Sequence, residues 1–115
     1  MWVYLAGPMR GYPDFNFPAF HAAAVKLRAA GHYVFSPAER DENEFGFGAL
    51  KSATGDLADI ASLGFDLRKA LKHDLVWICQ HADAIACLPG WEGSSGARAE
   101  RAVGEALGLI ILELE

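Results

Sequence analysis

The sequence predicts an α/β protein built on a parallel sheet, and three observations carry that reading. Short, mostly apolar runs recur along the chain: Trp2-Val3-Tyr4-Leu5-Ala6, His32-Tyr33-Val34-Phe35-Ser36, Ala84-Ile85-Ala86-Cys87-Leu88 and Leu109-Ile110-Ile111-Leu112. They do not alternate with polar residues, which is the pattern of strands covered on both faces. Between them lie stretches whose apolar residues recur at helical spacing. The links are short, so each strand-helix-strand unit implies a right-handed crossover and a parallel pair. With 115 residues, 52% of them hydrophobic, the chain is expected to form a single domain over residues 1–115 with one sizeable core.

Taken in order, the first strand stops at Gly7-Pro8. Gly7-Pro8-Met9-Arg10-Gly11-Tyr12-Pro13 cannot extend it and forms a loop at its carboxyl end, where open α/β sheets bind ligands. A helix starts at Asn16 or Phe17 with Pro18 in its first turn, buries Phe20, Ala23, Ala24, Leu27 and Ala30, and ends at Gly31. Residues 32–36 form the second strand, stopped by Pro37. From Ala38 to Gly64 the character changes, with Glu39, Asp41, Glu42 and Glu44 followed by Phe45-Gly46-Phe47-Gly48. This exceeds an ordinary connection, so it is read as a mobile lid, an excursion used in self-association, or a poorly ordered acidic loop.

Leu67, Ala70, Leu71, Asp74, Leu75 and Ile78 share one helical stripe, which predicts a helix from about Gly64 to Gln80. Asp74 on that stripe is either functional or paired with Arg68 or Lys72. After the third strand, Leu88-Pro89-Gly90-Trp91-Glu92-Gly93-Ser94-Ser95-Gly96-Ala97-Arg98-Ala99-Glu100 reads as strand end, glycine-rich loop and helix start. That helix runs from about Ser95 to Leu107, stops at Gly108, and feeds the last strand. The expected architecture is a three-layer flavodoxin/Rossmann-like sandwich with four or five strands in the order 2-1-3-4(-5).

Such an order sets the loops after the first and third strands side by side, so Gly7 to Tyr12 faces Gly90 to Glu100. Ser94, Ser95 and Gly96 lie at a helix mouth, where free N–H groups and the helix dipole suit a phosphate or a carboxylate. The plainer alternative is that Ser95 caps a surface helix and Glu100 is solvated. Tyr4 is placed to hold Glu100 through its hydroxyl, the arrangement of an ionised but unsolvated carboxylate nucleophile. Asp74 or Asp83 opposite would complete the pair of carboxylates that glycosidic cleavage uses. His73 is a weaker candidate acid, Trp77 is expected in the core, and Trp91 is the aromatic expected to meet a base.

Several function classes are disfavoured. A net charge of −5 argues against binding a nucleic-acid polymer, which needs a basic face. No Gly-x-Gly-x-x-Gly follows the first strand and no P-loop lysine motif occurs, so neither a dinucleotide nor an NTP is supported. The 4 histidines do not cluster and the 2 cysteines, Cys79 and Cys87, have no metal spacing, so no metal and no cofactor are expected. Both cysteines read as reduced core thiols of a cytoplasmic protein. The opening apolar run is too short and lacks the basic leader of a signal peptide, and no stretch would span a membrane.

Three segments together resemble the nucleoside 2-deoxyribosyltransferase superfamily: Tyr4-Leu5-Ala6-Gly7-Pro8-Met9-Arg10-Gly11; Asp74-Leu75-Val76-Trp77 with Ala82-Asp83-Ala84-Ile85; and Ser94-Ser95-Gly96-Ala97-Arg98-Ala99-Glu100. They fall in order and cover most of the chain outside 40–64, with the closest general look to a small bacterial and phage branch carrying the Leu-Pro-Gly-Trp loop. The resemblance implies cleavage or transfer at the N-glycosidic bond of deoxynucleosides or deoxynucleotides through a deoxyribosyl-glutamate. It makes Glu100 the nucleophile, Tyr4 its hydrogen-bond partner and Asp74 the residue that engages the departing base, while Asp83 supports the sheet edge or a helix end. Ser94 stands where the transferases acting on free nucleosides have an aspartate, and is similar to the serine that meets phosphate in the 2'-deoxynucleoside 5'-monophosphate hydrolases. A hydroxyl, helix N–H groups and a guanidinium suit a phosphate that an aspartate would repel. The substrate-binding residues are then Gly7, Met9, Arg10, Gly11, Trp91, Ser94, Ser95, Gly96 and Arg98, the partner is a small nucleotide or nucleoside, and a homo-oligomer is expected.

The sequence departs from that pattern at Arg98, Arg101 and Glu105, where smaller or more apolar residues are usual. Arg98 is expected either to help bind phosphate or to neutralise Glu100 in a salt bridge. The rival reading is a non-catalytic module that binds a nucleotide in the same cleft, and a third is an interaction protein that only retains the fold.

Overall fold

In the computed structural model, which describes residues 1–115, the strands are β1 (Trp2–Ala6), β2 (Tyr33–Phe35), β3 (Ala84–Cys87) and β4 (Ile110–Glu113). They form one all-parallel sheet of 4 strands in the order β2-β1-β3-β4, in register Tyr4 with Phe35, Tyr4 with Ile85, and Ile85 with Ile111. β1 and β3 occupy the centre, and their side chains are buried on both faces except Trp2, which is why these runs are apolar without alternation.

Side chains alternate across the pleat and divide the core in two. Val3, Leu5, Ala84 and Ala86 face α1 (Phe17–Ala29), which contributes Phe17, Phe20, Ala23 and Ala24. On the other face, Tyr4, Ala6, Ile85 and Cys87 meet α3 (Leu67–His81) through Ile78 and α4 (Ser95–Ala106) through Ala97. The result is a flavodoxin-like three-layer sandwich. Gly104 of α4 lies so close to β3 that a Cβ there would run into Ile85, so the helix seats its backbone directly on the strand. Trp77 packs half-buried on this second core as expected, whereas Cys79, expected in the core, lies exposed on α3.

The 38–64 stretch is where the sequence reading needs correcting. Its first part is a regular helix, α2 (Pro37–Phe45), with proline in the first turn and Glu39 near its amino end. The remainder is anchored. Gly11 N–H donates to the Gly55 carbonyl at 3.0 Å and Asp14 N–H to the Ser52 carbonyl at 2.7 Å, while Ser52 Oγ donates to Asp59 Oδ2 at 2.5 Å. Leu50 and Ile60 are buried in the first core, and Phe45 packs on Phe65. Neither a simple loop nor a detached lid describes this segment.

Smaller shifts concern element ends. α3 begins at Leu67 with Asp66 accepting from Lys69 N–H, β2 is one residue shorter at each end than the expected run, and β4 is shifted by one residue. No helix is long and apolar enough to cross a membrane.

Candidate functional site

The cleft opens at the carboxyl end of β1 and β3, where the strand order reverses. Tyr4 reaches it from β1, fully buried, because odd residues of that strand point to α1 and even ones to α3 and α4. Its hydroxyl donates to Glu100 Oε2 at 2.5 Å. Glu100 projects from α4 on the inward face that also carries Ala97 and Gly104, and only 6% of it is exposed. Asp74, 5% exposed, comes from α3 on the same face as Ile78, one turn away.

Arg40 of α2 is the third side of this cluster. Its Nη1 donates to Asp74 Oδ1 at 2.5 Å and to the Ala70 carbonyl at 3.0 Å, and its Nε donates to Asp41 Oδ1 at 2.9 Å. Arg68 and Lys72, the expected partners of Asp74, are exposed on the outer side of α3. Sequence reading missed Arg40 and Asp41 because the stretch holding them was read as lid or loop.

Burial pushes the Glu100 carboxyl well above the usual carboxylate range, and the neighbouring Asp74 charge adds to it against the Tyr4 hydrogen bond. Asp74 is raised to about 6, again chiefly by burial, with Arg40 opposing. Burial, with Glu100 and Asp74 nearby, also holds the Tyr4 phenol protonated well above 10. Burial and the Asp74 charge thus work against the ionised Glu100 that the sequence suggests, while the Tyr4 hydrogen bond and Arg40 work for it.

At the mouth, Arg10 Nη2 donates to Ser95 Oγ at 3.1 Å. Ser94, not Ser95, caps α4, accepting from Ala97 N–H at 3.2 Å. Hydroxyls, a guanidinium and free helix N–H groups thus converge on one side of the opening. The opposite wall is apolar, with Phe15, Phe17, Leu50, Leu57, Ile60 and Phe65 around about 720 Å³ of free space, the open mouth included. Phe15 enters it from a turn in which Asp14, Phe15 and Asn16 all have left-handed backbone, a conformation unfavourable for such residues.

Among the residues singled out in the sequence, Gly7, Met9, Arg10, Asp74, Ser94, Gly96 and Glu100 line the cleft, Tyr4 supports Glu100 from behind, and Ser95 sits at the rim. Others do not belong to it. Gly11 serves as a backbone strut to Gly55. Trp91 lies against the second core under Arg101, whose guanidinium is 4.1 Å from the ring centre, so it is not placed to meet a base. Arg98 is exposed and donates to the Glu92 carbonyl at 2.7 Å, and it forms no salt bridge with Glu100. Asp83 accepts from Trp2 N–H at 2.8 Å at the start of β1, away from the cleft, and His73 is exposed against Phe35. No group of 3 or more His, Cys, Asp or Glu side chains is arranged to hold a metal ion.

A family model described as a domain of unknown function, DUF4406, matches residues 1–113. No curated protein and no solved structure matches the chain.

Proposed function

The chain belongs to the DUF4406 family, and from the cleft we propose an enzyme that cleaves or transfers at the N-glycosidic bond of 2'-deoxynucleoside 5'-monophosphates or deoxynucleosides. The observation that carries the reading is Glu100, buried at the base of the cleft, held by the Tyr4 hydroxyl at 2.5 Å and faced by a second carboxyl, Asp74. The motif resemblance to the nucleoside 2-deoxyribosyltransferase superfamily supports the same roles.

In this reading Arg10, Ser94, Ser95 and the α4 N–H groups take the 5'-phosphate, and the base lies along the apolar wall of Phe15, Phe17 and Ile60. The reactive state has the shared proton on Asp74 and the charge on Glu100; the Tyr4 hydrogen bond favours that charge, while Arg40 opposes the proton on Asp74 and so readies it for transfer to the base. Glu100 attacks C1' as the C1'–N bond breaks; the bond pair leaves with the base nitrogen, and Asp74 gives its proton to the base. Water then attacks C1', Asp74 takes a proton from it, and Glu100 is released. A second nucleobase in place of water gives transfer.

Chromatographic measurement of base release from deoxynucleosides and their monophosphates, with wild type and Glu100→Ala, tests this. Release from monophosphates that vanishes with Glu100→Ala is expected; equal or faster release from unphosphorylated compounds sinks the phosphate assignment. The burial of Glu100, which works against its ionisation, favours one other reading, a module that binds a nucleotide in the same cleft without cleaving it. That reading requires ligand-induced thermal stabilisation that survives Glu100→Ala with no release by the wild type.

A further inference from the structure

The proposed chemistry uses Tyr4, Asp74 and Glu100, and does not explain why an arginine from another segment is buried against them. Only 10% of the Arg40 side chain is exposed, and every nitrogen of its guanidinium is engaged: Nε and Nη2 with Asp41 Oδ1 at 2.9 and 2.8 Å, and Nη1 with the Ala70 carbonyl and Asp74 Oδ1. Asp41 lies on α2 beside Arg40, so the contacts that reach α3 are those with the Ala70 carbonyl and Asp74, and the first alone would join the helices. The remaining contact ties the clamp to the cleft, since Asp41 and Asp74 both line it.

We propose that Arg40 is a positioning residue of the cleft: it fixes one oxygen of Asp74, holding that carboxyl against Tyr4 and Glu100, and divides its charge between Asp74 and the competing carboxylate of Asp41. The catalytic meaning of this rests on the glycosidic reading, while the coupling among the three side chains does not.

The groups that bear on Asp74 are Tyr4 from β1, Arg40 and Asp41 from α2, and Glu100 from α4. Of these only Arg40 is cationic. Burial works against its charge, and Asp41 and Asp74 more than offset that. Removing Arg40 takes away the one attractive charge beside Asp74. Removing the Asp41 charge takes away a repulsive neighbour and leaves the guanidinium to Asp74 alone. The two substitutions therefore move the same carboxyl in opposite directions, which an arginine bound only to the Ala70 carbonyl would not do.

Carboxyl-carbon NMR titration of aspartate-labelled protein, with Asp74 assigned from Asp74→Asn, reads this directly. From its wild-type midpoint of about 6, Asp74 is expected to rise by about 1–3 pH units in Arg40→Met. A smaller rise is expected in Arg40→Lys, which keeps the charge but not the planar fork, and a fall in Asp41→Asn. Unmoved midpoints, or shifts of one sign in Arg40→Met and Asp41→Asn, overturn the assignment. If Arg40→Met does not fold, Arg40→Lys and Asp41→Asn decide it by the same opposition. Base release assayed alongside separates the two claims. Opposed shifts with no release even by wild type leave Arg40 in its role and remove the glycosidic reading; Glu100-dependent release with unmoved midpoints removes only the role of Arg40.

Discussion

The two walls of the cleft are made differently. One is carried by the ends of β1 and β3 and the start of α4, where Tyr4, Ser94 and Glu100 hang from two central strands and a helix packed on the second core. The other is α2 and the segment after it, acidic and rich in glycine, which holds its place through Leu50 and Ile60 in the first core, Arg40 on α3 and a few cross-links to the β1–α1 loop. The first wall brings the groups suited to chemistry. The second supplies Leu50, Leu57 and Ile60 of the apolar surface and, through Arg40, the charge that faces Asp74. A rigid sheet end can thus hold a poorly solvated carboxyl, but the environment of that carboxyl is completed by a segment outside the sheet.

Glu100→Gln should have the largest effect and acts on the first wall alone. Loss of the nucleophile is expected to reduce base release by at least about a thousandfold. The same change should stabilise the fold at neutral and higher pH. With its folded-state pKa raised by burial, the native protein binds more protons than the unfolded chain between the ordinary carboxyl value and the folded one. Stability attributable to Glu100 is therefore lost as pH rises through that interval, and glutamine removes the loss. Melting temperatures at about pH 4 and pH 8 check it: the variant should gain on wild type as pH rises, and a gap that is constant or reversed contradicts buried, proton-holding Glu100.

Gly55→Ala tests the second wall and should act more moderately. Gly55 has φ of +72°, and a Cβ there would lie 2.7 Å from Gly11 N and collide with the Tyr12 backbone. The change strains the cross-link to the loop that carries Arg10, with an expected destabilisation of about 2 kcal/mol. Hydrogen exchange should speed up over residues 46–64 while the amides of β1 and β3 keep their protection. Uniform loss of protection would mean that the two walls are one cooperative unit.

How much of this was legible in the sequence follows the same division. β1, β3, α1 and α4 announce themselves by local pattern, and the strand order then puts Tyr4 beside Glu100 without any knowledge of side chains. α2 also left a signal, Ser36-Pro37-Ala38-Glu39, a helix start with proline and an early acid, but the glycines and acids after it spoke for a loop. The Arg40–Asp74 pair left none. Its partners are separated by 34 positions, and periodicity reports which face a residue occupies, not which distant cation meets it. Asp74 offered nearer candidates, Arg68 and Lys72, and only the packing of α2 on α3 decides against them.

Arg98→Ala should have the smallest effect, and its position on α4 says why. Ala97, Glu100 and Gly104 mark the inward face, three and four residues apart, whereas Arg98 falls to the side and donates to the Glu92 carbonyl from an exposed position. It touches neither Glu100 nor the rim where Arg10 meets Ser95. Removing it costs one exposed hydrogen bond, expected at about 0.5–1 kcal/mol or less, and should leave base release within about twofold of wild type. Arg10→Ala is the matched contrast, expected to raise KM for monophosphates by about tenfold or more while sparing unphosphorylated substrates. Should Arg98→Ala impair phosphate-bearing substrates as strongly as Arg10→Ala, the anion site would extend along the outer side of α4, and the two-walled cleft would need a third member.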